Sequence, residues 1–286
     1  MERKDLTTSN WHDYELLDSG DGMKLERYGE VIVARPETQA IWKPLQPELW
    51  EKADAVFEWK EGTSEWKKKN DIPASWPLSW NEVKFTARLT SFKHTGIFPE
   101  QVANWEWLEN HVRALENPKI LNLFGYTGIA SIVAAKAGAP VTHIDASKQS
   151  LDWAHDNARL SGITEGQIKY LFEDASAFVK REARRGNTYE GIILDPPAFG
   201  RGAKGEVWKI EEQLQDLIAT TKELLSDKPG SFYLLNGYAA GYNAQSFAQL
   251  IESIFANVNG NFGDLLIKES SSERVIPAGI YTRFSL

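Results

Sequence analysis

The chain has 286 residues, of which 42% are hydrophobic and 25% are charged, and this suits one large α/β domain beside a smaller one. No stretch approaches the roughly 20 consecutive apolar residues of a membrane-spanning helix, so we expect no membrane span. The 40 acidic residues outnumber the 32 basic ones, giving a formal net charge of −8, and the absence of cysteine excludes disulfides and thiolate metal sites.

Residues 1–92 are predicted to form a small β-rich domain. Strand-like stretches at 25–34, 55–60 and 81–90 are punctuated by prolines, which rarely occupy central strands. Most of the 11 tryptophans lie in this part of the chain, where they either fill a small core or offer a stacking surface to unpaired bases. No apolar segment follows Met1, so we expect no signal peptide and a cytoplasmic protein.

Residues 93–118 are predicted to connect this domain to a larger one, with a helix over 104–116 whose apolar side chains share one face. From residue 119 to residue 286, short apolar strands alternate with helices, as in a mostly parallel sheet covered by helices on both faces. The predicted strands are 120–123, 141–144, 168–172, 191–194, 231–238, 264–270 and 280–286. The predicted helices are 151–162, 175–184, 206–226 and 244–257.

The turn after the first of these strands is either an ordinary strand-to-helix turn or part of a cofactor site. Gly125 and Gly128 let the backbone approach a ligand closely, and Asp145 at the next strand tip can accept hydrogen bonds from ribose hydroxyls. A dinucleotide site would carry Gly-x-Gly-x-x-Gly to bind a pyrophosphate at a helix N-terminus, and no third glycine opens the helix here. The pattern therefore favours S-adenosylmethionine, which has a ribose but no phosphate.

Two further strand tips carry acidic residues. Asp174 follows the third predicted strand, where its carboxylate can reach an adenine amino group, cap the next helix, or do both. Asp195 opens the sequence Asp-Pro-Pro-Ala-Phe after the fourth strand, at the edge where parallel sheets bind ligands. Because proline fixes φ and lacks an N–H, we expect a stiff turn with free carbonyl oxygens that accept from an amino group, while Phe199 stacks on a ring.

These motifs resemble the class I S-adenosylmethionine-dependent methyltransferases, and more narrowly the bacterial family that methylates cytosine C5 or guanine in large-subunit ribosomal RNA. The resemblance covers about residues 90–240 and includes 121–128, Asp145-Ala-Ser, Asp174 and Asp195-Pro-Pro-Ala-Phe. It implies an α/β fold with a Rossmann-like, seven-stranded sheet over residues 119–286. It also implies S-adenosyl-L-methionine as cofactor and ribosomal RNA or a ribosomal subunit as partner.

The motifs and the resemblance together assign roles to individual residues. The residues expected at the methyl acceptor are Asp195, Pro196 and Phe199. The expected cofactor-binding residues are Phe98, Gln101, Asn122, Phe124, Gly125, Tyr126, Thr127, Gly128, Asp145, Ala146, Ser147, Asp174 and Ala175. Phe98 and Gln101 belong to a segment similar to the family's Gly-x-Phe-x-x-Gln stretch, which helps to enclose the cofactor.

The chain departs from this family in two respects. Its cytosine-C5 members use a cysteine nucleophile after the fifth strand, so the lack of cysteine excludes that mechanism and favours a nitrogen acceptor. The N-terminal region does not obviously match the small RNA-binding domain of some members. A methyltransferase acting on a small molecule or a protein side chain, or a non-catalytic S-adenosylmethionine-binding protein, therefore stays open as an alternative.

The distribution of charge bears on whether RNA is the partner, because RNA-binding proteins usually carry a basic face. The basic clusters at 67–69 and 180–185 are either phosphate contacts or solvated surface, whereas Arg201 and Lys204 are expected to flank the acceptor. The five histidines show no metal-ligand spacing, so we predict no metal. The oligomeric state is left open.

Overall fold

The computed structural model describes residues 1–8, 11–60, 63–202, 205–238 and 241–286. The chain divides into two compact units. The larger unit comprises Met1–Leu6, Ala103–Leu265 and Ala278–Leu286, and the smaller unit comprises Thr7–Val102 and Leu266–Pro277. Among the described residues, no helix combines the length and the apolar character needed to cross a membrane.

The secondary structure alternates between short strands and helices over most of the chain. The strands are β1 (Glu2–Arg3), β2 (Leu6–Thr7), β3 (Tyr14–Gly20), β4 (Met23–Tyr28), β5 (Val31–Pro36), β6 (Ala55–Lys60), β7 (Thr63–Lys68), β8 (Trp76–Trp80), β9 (Val83–Ala87), β10 (Ile120–Leu123), β11 (Val141–Asp145), β12 (Ile168–Phe172), β13 (Gly191–Leu194), β14 (Phe199–Arg201), β15 (Val207–Lys209), β16 (Phe232–Gly237), β17 (Asn259–Lys268) and β18 (Val275–Ser285). The α-helices are α1 (Val102–Ala114), α2 (Ile129–Lys136), α3 (Lys148–Leu160), α4 (Ala175–Arg185), α5 (Ile210–Lys222) and α6 (Ala244–Ile254).

The sheet of the larger unit has the strand order β17-β18-β16-β13-β10-β11-β12. Strands β12, β11, β10, β13 and β16 are parallel neighbours, and β18 runs antiparallel to β16. This core of seven strands confirms the predicted Rossmann-like α/β sheet. Within the described residues, β1 and β2 also pair with β17 and bring the sheet to nine strands. The sequence did not predict them, because two-residue strands are too short for a visible alternation of side chains.

One face of this sheet is closed by α4, α5 and α6. Buried side chains of these helices form one apolar cluster with alternate strand residues, among them Leu123, Leu194 and Leu235. Successive residues of a strand point to opposite faces. Asn236, which follows Leu235 within β16, therefore points to the opposite face, and Asp195 directly follows Leu194 at the carboxyl end of β13.

Polar side chains mark where the helices after two strand tips begin. The Ser147 hydroxyl accepts from the Ser150 N–H at 3.2 Å and caps α3. The Asp174 carboxylate accepts from the Ala177 N–H at 2.9 Å and caps α4. The cap predicted at Asp174 is confirmed, because capping depends on residues only three positions apart, and the Ser147 cap has the same spacing.

Most of the other predicted elements differ from the observed bounds by a few residues, and two stretches differ in their kind of structure. The stretch 25–34 is not a single strand but part of the hairpin β4–β5, since the chain reverses at Gly29 with φ of +62°. The helix predicted over 206–226 begins only at Ile210, because the preceding residues pair as the hairpin β14–β15.

The observed units also differ from the predicted contiguous domains 1–92 and 119–286. Helix α1 belongs to the larger unit from Ala103 onward. The segment Leu266–Pro277, which comprises the end of β17, the following turn and the start of β18, belongs to the smaller unit. A bridge between Leu16 and Glu269 ties that segment to β3. Such a pairing between distant residues leaves no signal in a linear reading.

The smaller unit contains a five-stranded sheet in the order β3-β4-β5-β6-β7 and the separate hairpin β8–β9. Glu26 in β4 is fully buried and accepts hydrogen bonds from Tyr14 at 2.8 Å, Tyr28 at 3.0 Å and the Arg35 guanidinium at 3.0 Å. Burial acts to raise the pKa of Glu26, but the cations of Arg35 and Lys24, together with the hydrogen bonds from Arg35 and Tyr14, hold that pKa at about 2. A charged carboxylate is therefore part of this core at neutral pH.

The variant Glu26→Gln tests this network. It leaves the buried Arg35 without its closest counter-ion, so the free energy of unfolding should fall by about 3–5 kcal/mol. The exposed Glu30 in the β4–β5 turn offers a matched variant, Glu30→Gln, which should stay within about 0.5 kcal/mol of wild type. Urea unfolding followed by tryptophan fluorescence measures both, and equal stability of the two variants would contradict the role given to Glu26.

Candidate cofactor and acceptor site

The loop between β10 and α2 turns back on itself at the carboxyl edge of the sheet. Phe124, Tyr126 and Gly128 adopt left-handed backbone conformations, with φ of +56°, +48° and +81°. The Gly128 N–H donates to the Gly125 carbonyl at 3.0 Å, and the Gly125 N–H donates to the Ile144 carbonyl at 3.0 Å. Left-handed conformations are uncommon for residues other than glycine, so the surroundings must hold this loop in its shape.

Asp145, at the end of β11, helps to hold the loop in this shape. One carboxylate oxygen accepts from the Tyr126 N–H at 2.8 Å, and the other accepts from the Ser147 N–H at 2.8 Å. Burial raises the pKa of Asp145 above its ordinary value, while these two hydrogen bonds act in the opposite direction. A carboxylate has about four lone-pair positions, so it has capacity for ligand hydroxyls beyond these two bonds.

Buried polar side chains support the loop from below. Asn122 donates to the Ser131 hydroxyl at 2.8 Å, and that hydroxyl lies 2.9 Å from His143 Nδ1. Burial, with a smaller effect from His155, lowers the pKa of His143 to about 3, so the ring is neutral at physiological pH. The Ser131 hydroxyl thus links Asn122 to the neutral imidazole. The His143 ring also explains Gly125, since a Cβ there would lie 2.3 Å from His143 Cε1.

Helix α3 restrains the other end of the loop. The buried Asn157 donates to the Thr127 carbonyl at 2.9 Å. A Cβ on Gly128 would lie 2.8 Å from the Ala154 Cβ, so a larger residue at 128 would displace the helix. Thr127 is itself buried, whereas Phe124 and Tyr126 are partly exposed. The loop therefore presents its first residues, and not its last, to a ligand.

The tip of β12 carries an aromatic side chain that the sequence did not single out. Phe172 is 51% exposed and pairs in register with Asp145, two residues before Asp174. An exposed ring at this edge can stack on adenine, while Asp174, which caps α4 with one oxygen, has its second oxygen for an amino group. An aromatic residue in a strand has the same sequence pattern whether it packs in the core or binds a ligand. Only its exposure in the structure identifies Phe172 as a candidate for ligand binding.

The loop after β13 carries the residues predicted at the acceptor. Asp195 is partly exposed, Pro196 is buried, and Phe199 in β14 is 57% exposed. Because β13 and β10 are parallel neighbours, this loop and the glycine loop lie at adjacent strand ends. Arg201, also predicted near the acceptor, is exposed in β14, and Lys204 lies outside the described residues.

A tryptophan holds the double-proline turn. Trp208 in β15 donates its indole N–H to the Pro197 carbonyl at 2.7 Å, and its ring centroid lies 5.0 Å from that of Phe124. The expectation that the carbonyls of this turn stay free was therefore wrong for Pro197. The sequence did not reveal this role of Trp208, because Trp208 and Pro197 are eleven positions apart and no periodic pattern connects them.

The structure brings most of the predicted residues to one edge of the larger unit. Residues 122–128, 145–147, 174 and 195–199 lie at or just beyond the carboxyl ends of β10, β11, β12 and β13. Ala175 is buried in the apolar cluster beneath α4, whereas Ala146 is partly exposed and Ser147 exposed. Phe98 and Gln101 belong to the smaller unit, and their contact with a cofactor stays a prediction.

S-adenosylmethionine fits the chemistry of this edge. Its ribose hydroxyls match the acceptor capacity of Asp145, its adenine amino group matches Asp174, and its adenine ring matches the exposed face of Phe172. The backbone at Gly125 and Tyr126 has the room to approach the remainder of the molecule. Within the described residues, no group of three or more histidine, aspartate or glutamate side chains is arranged to bind a metal ion.

Comparison with known proteins agrees with this geometry. The profile of the family described as S-adenosylmethionine-dependent methyltransferase matches residues 54–241. The crystal structure of a SAM-dependent methyltransferase from Agrobacterium tumefaciens has a TM-score of 0.92 and 40% sequence identity, covering 100% of this chain and 97% of that chain.

Two further relatives are named for ribosomal RNA. The chain is 28% identical over 259 residues to the ribosomal RNA large subunit methyltransferase I of Aeromonas salmonicida, covering 86% of this chain and 63% of the relative. It is 30% identical over 173 residues to the ribosomal RNA large subunit methyltransferase K/L of Shewanella amazonensis, covering 60% of this chain and 23% of the relative. The chain thus spans less than two thirds of the length of either relative.

The variant Gly125→Ala tests the packing of the loop. Its Cβ would overlap the His143 ring, so one of the two must move, and affinity for S-adenosylmethionine should fall by about tenfold or more. The double variant Gly125→Ala/His143→Ala removes that overlap and should regain part of the affinity. Calorimetric titration measures both, with His143→Ala as control, and unchanged binding by Gly125→Ala would argue against a cofactor at this loop.

Proposed function

The chain belongs to the S-adenosylmethionine-dependent methyltransferase family, and on that basis we propose that it methylates a nitrogen atom of a base in ribosomal RNA. The observation that carries the proposal is the position of Asp195-Pro196-Pro197 at the end of β13, beside the strand that leads into the glycine loop. Methyl donor and methyl acceptor would then meet across two adjacent strand ends.

The names of the relatives support ribosomal RNA as the acceptor. Both enzymes compared above carry large-subunit ribosomal RNA in their names, and each matches more than half of this chain. Transfer to a small molecule or to a protein side chain has no comparable support. A non-catalytic binding protein is disfavoured, because it would have no use for an ordered acceptor loop.

The residue types available favour nitrogen over cytosine C5. Methylation at C5 of cytosine requires attack on the ring by a good nucleophile, usually a thiolate, and the chain has no cysteine. A ring or exocyclic nitrogen carries its own lone pair and needs no covalent assistance. The protein then has only to align that lone pair with the methyl group and to exclude water.

The glycine loop and two strand tips would position the cofactor. When bound, S-adenosylmethionine supplies a methyl group that its positive sulfur makes electrophilic. Asp145 would accept from the ribose hydroxyls while it holds the Tyr126 N–H, and Asp174 would accept from the adenine amino group.

Asp195 is proposed to prepare the acceptor nitrogen. Its carboxylate would accept one N–H hydrogen bond, which orients the nitrogen and increases its nucleophilicity, and would take that proton once the nitrogen carries the methyl group, with the Pro196 carbonyl accepting a second N–H. The indole of Trp208 would keep the turn in place during this step, because its N–H already binds the Pro197 carbonyl. Phe199 would stack on the ring of the target base.

RNA would be held by local contacts and not by a broad basic surface. The net charge of −8 opposes long-range attraction of phosphates. The exposed Arg201, two residues from Phe199, would contact a backbone phosphate next to a base that has left its stack. Ribosomal RNA as substrate puts the proposed reaction in the cytoplasm.

The role of Asp195 is tested by two variants. Asp195→Ala should lower methyl-transfer turnover about 100-fold and leave the affinity for S-adenosylmethionine within about twofold, because the side chain acts on the acceptor. Asp195→Asn keeps an acceptor oxygen and should lose less. Turnover is measured with saturating cofactor. A parallel loss of cofactor affinity would contradict the proposal, because it would show that Asp195 contributes to cofactor binding.

Tritium transfer from labelled S-adenosylmethionine tests the proposed function itself. The acceptors are total RNA, isolated ribosomal subunits and a protein-plus-metabolite extract, all from a strain that lacks the gene. Label in ribosomal RNA is the expected result, and nuclease digestion then identifies the base. Label confined to the protein or metabolite fraction would refute the proposed acceptor.

A further inference from the structure

Three polar side chains are buried together at the side of β16 in the larger unit. They are Asn104 in α1, Asn236 in β16 and Arg283 in β18, with exposed fractions of 0%, 4% and 7%. Arg283 Nη1 donates to Asn104 Oδ1 at 2.9 Å and to the Ala103 carbonyl at 3.1 Å. Asn104 Nδ2 in turn donates to Asn236 Oδ1 at 2.9 Å.

The direction of these hydrogen bonds is fixed by the chemistry of arginine. A guanidinium can only donate, so the atom of Asn104 that faces it must be the carbonyl oxygen. The NH2 group of Asn104 then faces Asn236, and the atom of Asn236 that meets it must again be an oxygen. The NH2 group of Asn236 therefore points away from Asn104.

Arg283 is held where it can set this direction. Its guanidinium carbon lies 5.0 Å from the ring centroids of both Trp107 and Tyr281. Burial lowers the pKa of Arg283 to about 10, and Tyr281 acts weakly in the opposite direction, so the side chain stays a cation at neutral pH. A permanent cation between two rings prevents both amides from turning over.

Asn236 stands at the acceptor edge. It follows Leu235 in β16 as Asp195 follows Leu194 in β13, and Leu194 and Leu235 are register partners in parallel strands. Neighbouring strands lie about 5 Å apart, so Asn236 and Asp195 stand side by side at this edge, and the Asn236 side chain points away from the apolar cluster. An oriented NH2 donor is thus placed beside the carboxylate proposed to accept from the target nitrogen.

We propose that Asn236 is a specificity-determining residue, whose NH2 group donates to a lone pair next to the nitrogen that is methylated. The inference rests on the proposed function and adds the substrate class. An acceptor at Asp195 and a donor at Asn236 complement a base edge that has an N–H beside a lone pair, such as an amino group next to a ring nitrogen. Asn104 and Arg283 are positioning residues that keep the donor facing this edge.

The variant Asn236→Asp tests the inference by replacing the donor with an acceptor of the same shape. The kcat/KM for ribosomal RNA from the deletion strain should fall at least 100-fold, with the KM for S-adenosylmethionine and the melting temperature nearly unchanged. Asn117→Asp, which adds the same charge at an exposed position, is the matched control and should retain wild-type rates. A kcat/KM of Asn236→Asp within threefold of wild type would overturn the inference.

Variants of Arg283 separate positioning from a merely structural role. Arg283→Met removes the donor that fixes the orientation of both amides, so kcat/KM for RNA should fall about tenfold. Arg283→Lys keeps a cationic donor, so its kcat/KM should fall less. A structural role alone predicts losses that follow the melting temperature in all variants, and that outcome would also overturn the inference.

The wild-type protein distinguishes failure of the inference from failure of the proposed function. If wild type labels RNA and Asn236→Asp does so equally well, only the inference fails. If wild type labels a protein or metabolite instead, the proposed acceptor fails, and the same variants are compared on that acceptor, where equal rates would overturn the inference. Transfer by wild type to none of these acceptors would overturn both.

Discussion

The hydrogen bond from the Tyr126 N–H to the Asp145 carboxylate is the constraint on which the proposed cofactor site depends. It joins the loop after β10 to the tip of β11 and helps to hold residues such as Phe124 and Tyr126 in left-handed conformations. Because the same carboxylate has positions left for ligand hydroxyls, loop shape and ligand binding depend on one side chain. A change at Asp145 therefore acts on the loop as well as on the ligand.

Buried chains of hydrogen bonds complete the support of this edge. One runs from Asn122 through Ser131 to His143 beneath the glycine loop, and the other runs from Arg283 through Asn104 to Asn236. In a medium of low dielectric constant an unsatisfied polar group is costly, and in the second chain Arg283 can only donate, so it fixes the orientation of both amides. The first chain supports the glycine loop from the interior, and the second orients the buried Asn236 amide at the carboxyl edge of the sheet.

Local sequence predicted the elements whose signals are local. The strands Ala55–Lys60, Ile168–Phe172 and Gly191–Leu194 have the predicted bounds, because apolar runs between turn residues mark both ends. The caps at Ser147 and Asp174 were also predictable from three-residue spacing. The predicted helix 206–226 included β15 and missed its pairing with β14, because that pairing places residues opposite one another that share no helical or strand period.

The sequence by itself determined the parallel sheet, the glycine loop, the acidic strand tips and, through the missing cysteine, the exclusion of a thiolate mechanism. Each of these follows from residue type, period or spacing within a few positions. Tertiary structure alone decided that His143 fills the space beside Gly125, that Trp208 holds Pro197, and that Asn236 is oriented by Asn104. The last pair is separated by 132 residues, and Asn104 and Arg283 by 179. Contacts over such separations are set by how strands and helices pack, because no local periodicity records which distant side chain will be the partner.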